Sequence, residues 1–343
     1  MTSKEIALVK PLFVLTTLTL AACGPGSNTR RETQTTAEVK QYIQQNLDRL
    51  HDASVALKTA APEHAWSASA DAAAITTMKT EWKKARIAYE SIEGAIAVLF
   101  PELDVSTDER YDGFLADGAD TNLFDAEGVT GVHAVERILY SDSIPSSVVA
   151  FESGLMGYRP AAFPADATQA QDFKNKLCGR LVSDIDEMRS QFTPLALDAA
   201  TAFRGVIGSM GEQIEKLEKG ATGEEESRYA QFTLEDMGTN VAAGVATFNI
   251  FVPWLEEAGG SAQRDAVKAA FARVEAAYAR LPGEALPPVP ATWSSANPSE
   301  TDLATDFGKL YASLQAEADP AAPHSLVAQM NASADLLKIP QLP

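Results

Sequence analysis

Histidine and cysteine are scarce, four of one and two of the other in 343 residues. A copper site, which wants several His, Met or Cys ligands, is therefore poorly supplied. No HExxH run occurs, and the inverted HxxEH is broken because Arg137 follows Glu136, so neither zincin helix motif is present. Strand signals are nearly missing as well, and helical spacing dominates. Basic residues are few: 28 Lys and Arg stand against 47 Asp and Glu, for a formal net charge of −19. A phosphate backbone would be repelled, which excludes nucleic acid as a partner.

What remains is an ordinary globular composition, 45% hydrophobic and 22% charged, in a chain long enough for one large domain or two similar ones. The first residues, "MTSKEIALVKPLFVLTTLTLAAC", run from Lys4 and Lys10 into an apolar stretch and then small residues. That is a secretory signal over 1–22, too short for a permanent membrane span. "LAAC" resembles a bacterial lipobox, so Cys23 is the expected lipidation point and 23–34, polar and rich in Gly and Thr, the expected tether. No Asp follows Cys23 to retain the chain in an inner membrane. The expected location is the cell envelope, lipid-anchored and facing the periplasm or the cell surface, on the outer membrane of a Gram-negative cell. Cys178 is left without a disulfide partner and reads as a small buried hydrophobe.

Apolar residues at 3.6-residue spacing put Val39, Tyr42, Ile43, Leu47 and Leu50 on one face of a first helix. A second covers about 68–100 and is stopped by Pro101. Residues 101–127 have the Asp, Gly and Asn density of a long loop. Helical spacing resumes in "GVTGVHAVERILYS", with Val132, Val135, Ile138 and Leu139 on the apolar side. Further helices are expected at about 167–192, 197–219, 228–257 and 261–281, then a Pro-rich connection and two shorter helices near 301–317 and 323–337. The expected architecture is all-α: two packed antiparallel four-helix bundles within 35–343, one over about 35–160 and the other over about 166–343.

The stretch "GVHAVE" places His133 and Glu136 three apart, on one helix face, where both can reach a single ion. Acids are so common that HxxE alone means little. Glu90 and Glu93 share the same spacing among apolar neighbours, where a carboxylate is costly unless paired or liganded. They either line a solvated stripe, pair with Lys84 and Arg86, or act as ligands. Asp108, Asp112, Asp117 and Asp120 fall in the expected loop, but their spacing does not match an EF-hand.

"YESIEGAIAVLFPELDVSTDERYDGFLADGAD" followed by "TGVHAVERILY" resembles the imelysin-like domain of bacterial iron-uptake proteins of the EfeO and EfeM type. The resemblance rests on Gly131, His133 and Glu136 in a GxHxxE motif, on Tyr89, Glu90, Ile92 and Glu93 before it, and on Tyr229, Asp236 and Asn240 after it. It implies two helical bundles with a metal cleft between them, ligated by His133, Glu136, Glu93 and Glu90, with Asp112 of the Arg110-Tyr111-Asp112 run as a further ligand. Tyr89, Arg110, Asp236 and Asn240 would line or support the cleft. The strands of the copper-binding domain that EfeO proteins usually carry are missing, and the last fifth of the chain matches poorly.

One imidazole with several carboxylates is an oxygen-rich set suited to iron and tolerable for zinc. The expected role is metal capture, iron first, for a membrane iron permease, with the lipid anchor as the contact to the membrane. A metallopeptidase of the imelysin group is the alternative, and a non-catalytic surface interaction protein another. A di-iron oxidase is disfavoured, because His51, His64 and His324 have no partner in the required order and read as surface residues.

Overall fold

A computed structural model describes residues 27–340, which are helical with no strand among them. Helix α1 (Ser27–Ala60) carries Val39, Ile43, Leu47, Leu50 and Leu57 on one stripe, all buried. Each such side chain stabilises by about 1.5–3 kcal/mol, so packing rather than intrinsic propensity holds this long helix. It begins eight residues earlier than expected: residues 27–34, read as tether, are helical, and Arg31 pairs with Glu257. The leader 1–22 and the expected lipidation point Cys23 lie outside the described residues.

Helix α2 (Ala72–Glu90) ends where Ile92 leaves helical geometry at φ −135°, and α3 (Glu93–Leu99) resumes at once. Residues 101–127 are not one long loop. Pro101 stops α3 but also opens α4 (Pro101–Asp108), the first-turn position where a missing N–H costs nothing. Helix α5 (Tyr111–Asp117) follows, and α6 (Gly131–Leu139) carries the GxHxxE stretch. After α7 (Ser146–Glu152), α8 (Ala167–Asp172) runs through one wide turn at Phe173–Leu177 into α9 (Cys178–Phe192).

The remaining helices are α10 (Ala199–Thr222), α11 (Thr233–Glu257), α12 (Ser261–Tyr278), α13 (Glu300–Leu303), α14 (Asp306–Ala318) and α15 (Leu326–Leu337). One bundle is built on α1, α2 and α9, with α4 and α6 packed across them; the other is built on α10, α11, α12, α14 and α15. The segment 167–192 was expected in the second bundle. It packs instead on α1, α4 and α6, so the division falls in the turn after Phe192 rather than near Pro160.

The bundles meet where α11 crosses α1 and α2, and where α3 crosses α10. At that second crossing Gly94 and Gly205 face each other, and a Cβ on Gly94 would stand 2.9 Å from the Gly205 carbonyl oxygen. Only glycine lets the two backbones come this close.

Candidate metal centre

All nine residues of α6 are buried. Its register is set at both edges. Gly131 has φ +82°, and a Cβ there would strike the Thr107 carbonyl at the end of α4. Trp82 donates from Nε1 to the Val132 carbonyl at 2.9 Å, tying α6 to α2. These contacts aim His133 at Asp108, the last residue of α4.

His133 is 1% exposed. Its Nδ1 lies 2.7 Å from Glu136 Oε2. The other oxygen of Glu136 accepts the backbone N–H groups of Tyr229 at 2.9 Å and Ala230 at 2.8 Å. Glu136 thereby fastens α6 to the loop before α11 and orients the imidazole. The other ring nitrogen, Nε2, pairs with Asp108 Oδ1 at 3.4 Å, too long for a strong hydrogen bond. Nε2, Asp108 and Glu226 bring ligand atoms within 4.8 Å of one another, as do Glu90, Glu93 and Glu226. Glu226 belongs to both groups.

Two cations stand among these acids. Arg86, wholly buried, reaches Glu90 and Asp108 in short ion pairs, Glu226 at 2.9 Å and Asp236 at 3.4 Å. Lys216 from α10 contacts Glu90 at 2.8 Å and Glu93 and Glu226 at 3.0 Å. Asn240 presents Oδ1 to the same ammonium at 3.1 Å, while its Nδ2 donates to Glu93 at 3.0 Å and to the Glu90 carbonyl at 2.8 Å. The surrounding electrostatics are correspondingly strong. Burial pushes Glu90, Glu93 and Asp236 up against the pull of Lys216 and Arg86. Glu226 goes the other way: burial raises it, but Lys216, Arg86 and His133 together hold it below the usual carboxylate range. For His133, burial and Arg86 lower the pKa, and Asp108 and Glu136 raise it by more, to about 9.

Of the expected site residues, His133, Glu136, Glu90, Glu93, Asp236 and Asn240 converge here. Tyr89 borders the cluster through a short hydrogen bond to Asp104. Asp112 does not join either acidic group; it pairs with the buried Arg228. Arg110 directly precedes α5, with its Nε buried and unpartnered. Arg137 turns away from the cluster, pairing with Glu152 at 3.0 Å and lying 3.8 Å from the centroid of the Tyr111 ring. The pairing of Glu90 with Arg86 does occur, but in the core rather than on a solvated stripe, and Lys84 pairs with Glu81.

Three participants were not singled out from sequence: Asp108 as a partner of His133, Glu226 and Lys216; Arg86 was expected only as a pair for Glu90 and Glu93, not as a brace to Asp108, Glu226 and Asp236. Asp108 and Glu226 sit in acid-rich stretches with nothing local to distinguish them. Lys216 lies on the face of α10 that carries the buried Gln213 and Leu217, and that position is the one signal it offers.

The imelysin family model, labelled Peptidase_M75, matches residues 43–320. The structure is similar to the crystal structure of an imelysin-like protein from Psychrobacter arcticum 273-4. The TM-score is 0.60 at 14% identity, over 91% of this chain and 97% of that one. No curated protein matches. Among the described residues no helix is long and apolar enough to cross a membrane.

Proposed function

The chain belongs to the imelysin family, and from that premise we propose that it is a cell-envelope metal-capture protein that takes one ion, iron foremost and zinc as a second choice, for transfer to a membrane permease. The ion is held by His133 Nε2, Asp108 and Glu226. One observation carries this reading: the buried His133 imidazole, held by Asp108 only at 3.4 Å, groups with the Asp108 and Glu226 carboxylates so that one ligand atom from each lies within 4.8 Å of the others. A metal ion would displace the ring proton and replace this long contact with direct bonds. Glu136 fits the place of the carboxylate that orients a ligating histidine through its other nitrogen, rather than that of a ligand. The donor set of one nitrogen and several oxygens suits iron and manganese, and tolerates zinc. The lipobox before Cys23 supports the envelope location and the membrane anchor.

The ion is cargo, so nothing in the site need act chemically upon it. Calorimetric titration of the purified protein with Fe²⁺, Mn²⁺ and Zn²⁺ tests the reading. One equivalent is expected to bind, and to be lost in His133→Ala; unchanged binding in that variant would sink it. Casein hydrolysis that a chelator abolishes would favour a peptidase instead.

A further inference from the structure

Lys216 is 6% exposed and its ammonium is surrounded by oxygens: Glu90 at 2.8 Å, Glu93 and Glu226 at 3.0 Å, and Asn240 Oδ1 at 3.1 Å. The Asn240 amide cannot turn its nitrogen toward that cation, because Nδ2 already donates to Glu93 and to the Glu90 carbonyl. Its oxygen accepts a further bond from Gln213 at 3.1 Å, and Gln213 is in turn held by Tyr278. Three carboxylates and one fixed amide oxygen around a compact charge form a hard, oxygen-only cage of the kind that holds divalent cations. Lysine is suited to fill it, being a point charge on a flexible stem. Arg86 differs, since its planar group spans Glu90, Asp108, Glu226 and Asp236 and so braces both acidic groups at once.

We propose that Lys216 is the built-in occupant of a second cation place formed by Glu90, Glu93, Glu226 and Asn240, and that it limits this chain to one metal ion where an uncharged residue at 216 would admit two. The inference builds on the reading of the cleft as a cation cleft. Glu226 would then be a carboxylate shared by two neighbouring cations, one captured and one intrinsic. A cavity of ≈ 50 Å³ between the bundles touches Glu90 and Asn240 and is lined by Tyr42, Gly94, Gly205 and Gly244.

The test is Mn²⁺ titration, followed by calorimetry and by metal analysis after desalting, on the wild type, Lys216→Met, Lys216→Arg and the double variant Lys216→Met with His133→Ala. Lys216→Met is expected to bind one equivalent more than wild type, and its melting temperature to rise further on adding Mn²⁺. Lys216→Arg keeps the wild-type stoichiometry. The double variant keeps one equivalent, that of the second place. Wild-type stoichiometry in a folded Lys216→Met overturns the proposal. A wild type that binds nothing while Lys216→Met binds one ion would refute the His133 reading and leave this one standing. Should Lys216→Met fail to fold alone, recovery of its helical circular dichroism in excess Mn²⁺ supports the proposal. Failure of both Lys216→Met and Lys216→Gln to recover there refutes it.

Discussion

Glu136→Gln separates an orienting carboxylate from a ligating one. The glutamine oxygen can still accept the Tyr229 and Ala230 N–H groups, which Glu136 takes at 2.9 and 2.8 Å, so the fold is expected to survive. Its NH₂ then faces His133 Nδ1, which must become the acceptor. The neutral ring consequently carries its proton on Nε2, the nitrogen required for the metal. Loss of such an orienting partner weakens metal binding about 10–100-fold, or about 1.4–2.7 kcal/mol. The same carboxylate also strengthens proton binding to His133, whose pKa it helps lift to about 9. Affinities must therefore be compared in a pH series extrapolated to neutral imidazole, with Zn²⁺ or Mn²⁺ and a competing indicator. Glu136→Ala is the structural control. It leaves two buried N–H groups unpaired at about 1–3 kcal/mol each, so its melting temperature falls where that of Glu136→Gln does not. A pH-independent affinity equal to wild type in Glu136→Gln would refute the orienting role. A loss as complete as in His133→Ala would make Glu136 a direct ligand.

The raised pKa of His133 also fixes how stability responds to pH. Because the folded value, about 9, exceeds the ordinary 6.5, the metal-free protein gains stability from this group below pH 6.5 and loses it as pH rises through 9. Melting curves should show that decline, and His133→Gln should flatten it; apparent metal affinity should rise over the same window, with proton release visible in buffers of different ionisation heat. Gly131→Ala should lose on the order of 1–3 kcal/mol in urea denaturation, because φ +82° and the Thr107 carbonyl both oppose a Cβ. A stability within 0.5 kcal/mol of wild type, or about the noise of an ordinary surface change, would mean α4 and α6 can separate freely. Burial pushes the Cys178 thiol far up, so iodoacetamide should leave it unmodified in the native protein and label it fully in urea, as read by peptide mapping. Arg137→Lys keeps the charge but loses the two bonds to Glu152 and the stacking on Tyr111, and should lower the melting temperature without changing metal stoichiometry.

The all-helical architecture was legible because burial writes a 3.6-residue period into long helices such as α1 and α11. The short helices were not. Helices α4 and α5 are stabilised by what they rest on, α4 against α6 and α9, and their polar, Asp-rich sequences carry no periodic signature. The tether boundary failed for a related reason: Thr29 to Gln34 are polar and exposed or half-buried on α1, and a polar helix face reads like a linker. In the site, spacing revealed the pairs three apart, His133 with Glu136 and Glu90 with Glu93, since those partners share a helix face. It did not reveal Asp108, Glu226 or Lys216 as partners, which come from α4, the segment between α10 and α11, and α10, and meet only through packing. Nor could spacing show that two backbone amides, from residues 229 and 230, bond one oxygen of Glu136.

Arg86 and Lys216 change what a buried acidic cluster costs. Glu90, Glu93, Asp108, Glu136, Glu226 and Asp236 without counter-charge would hold the bundles apart or take up protons, since an ionised carboxylate in an apolar interior carries a penalty of several kcal/mol. A chain that relied on the captured ion alone to offset that penalty would unfold whenever it delivered its cargo. The two permanent cations and the protonated His133 offset the charge of the cluster without metal, and burial pushes Glu90, Glu93 and Asp236 toward protonation. Glu226 shows the division: held ionised by Lys216, Arg86 and His133, it stays available as a ligand at pH values where its neighbours are pushed toward protonation. The internal cations thus offset part of the cluster's burial cost without any ion, and under the proposed function the imidazole proton, which a metal ion would have to displace, would set the pH at which loading becomes favourable.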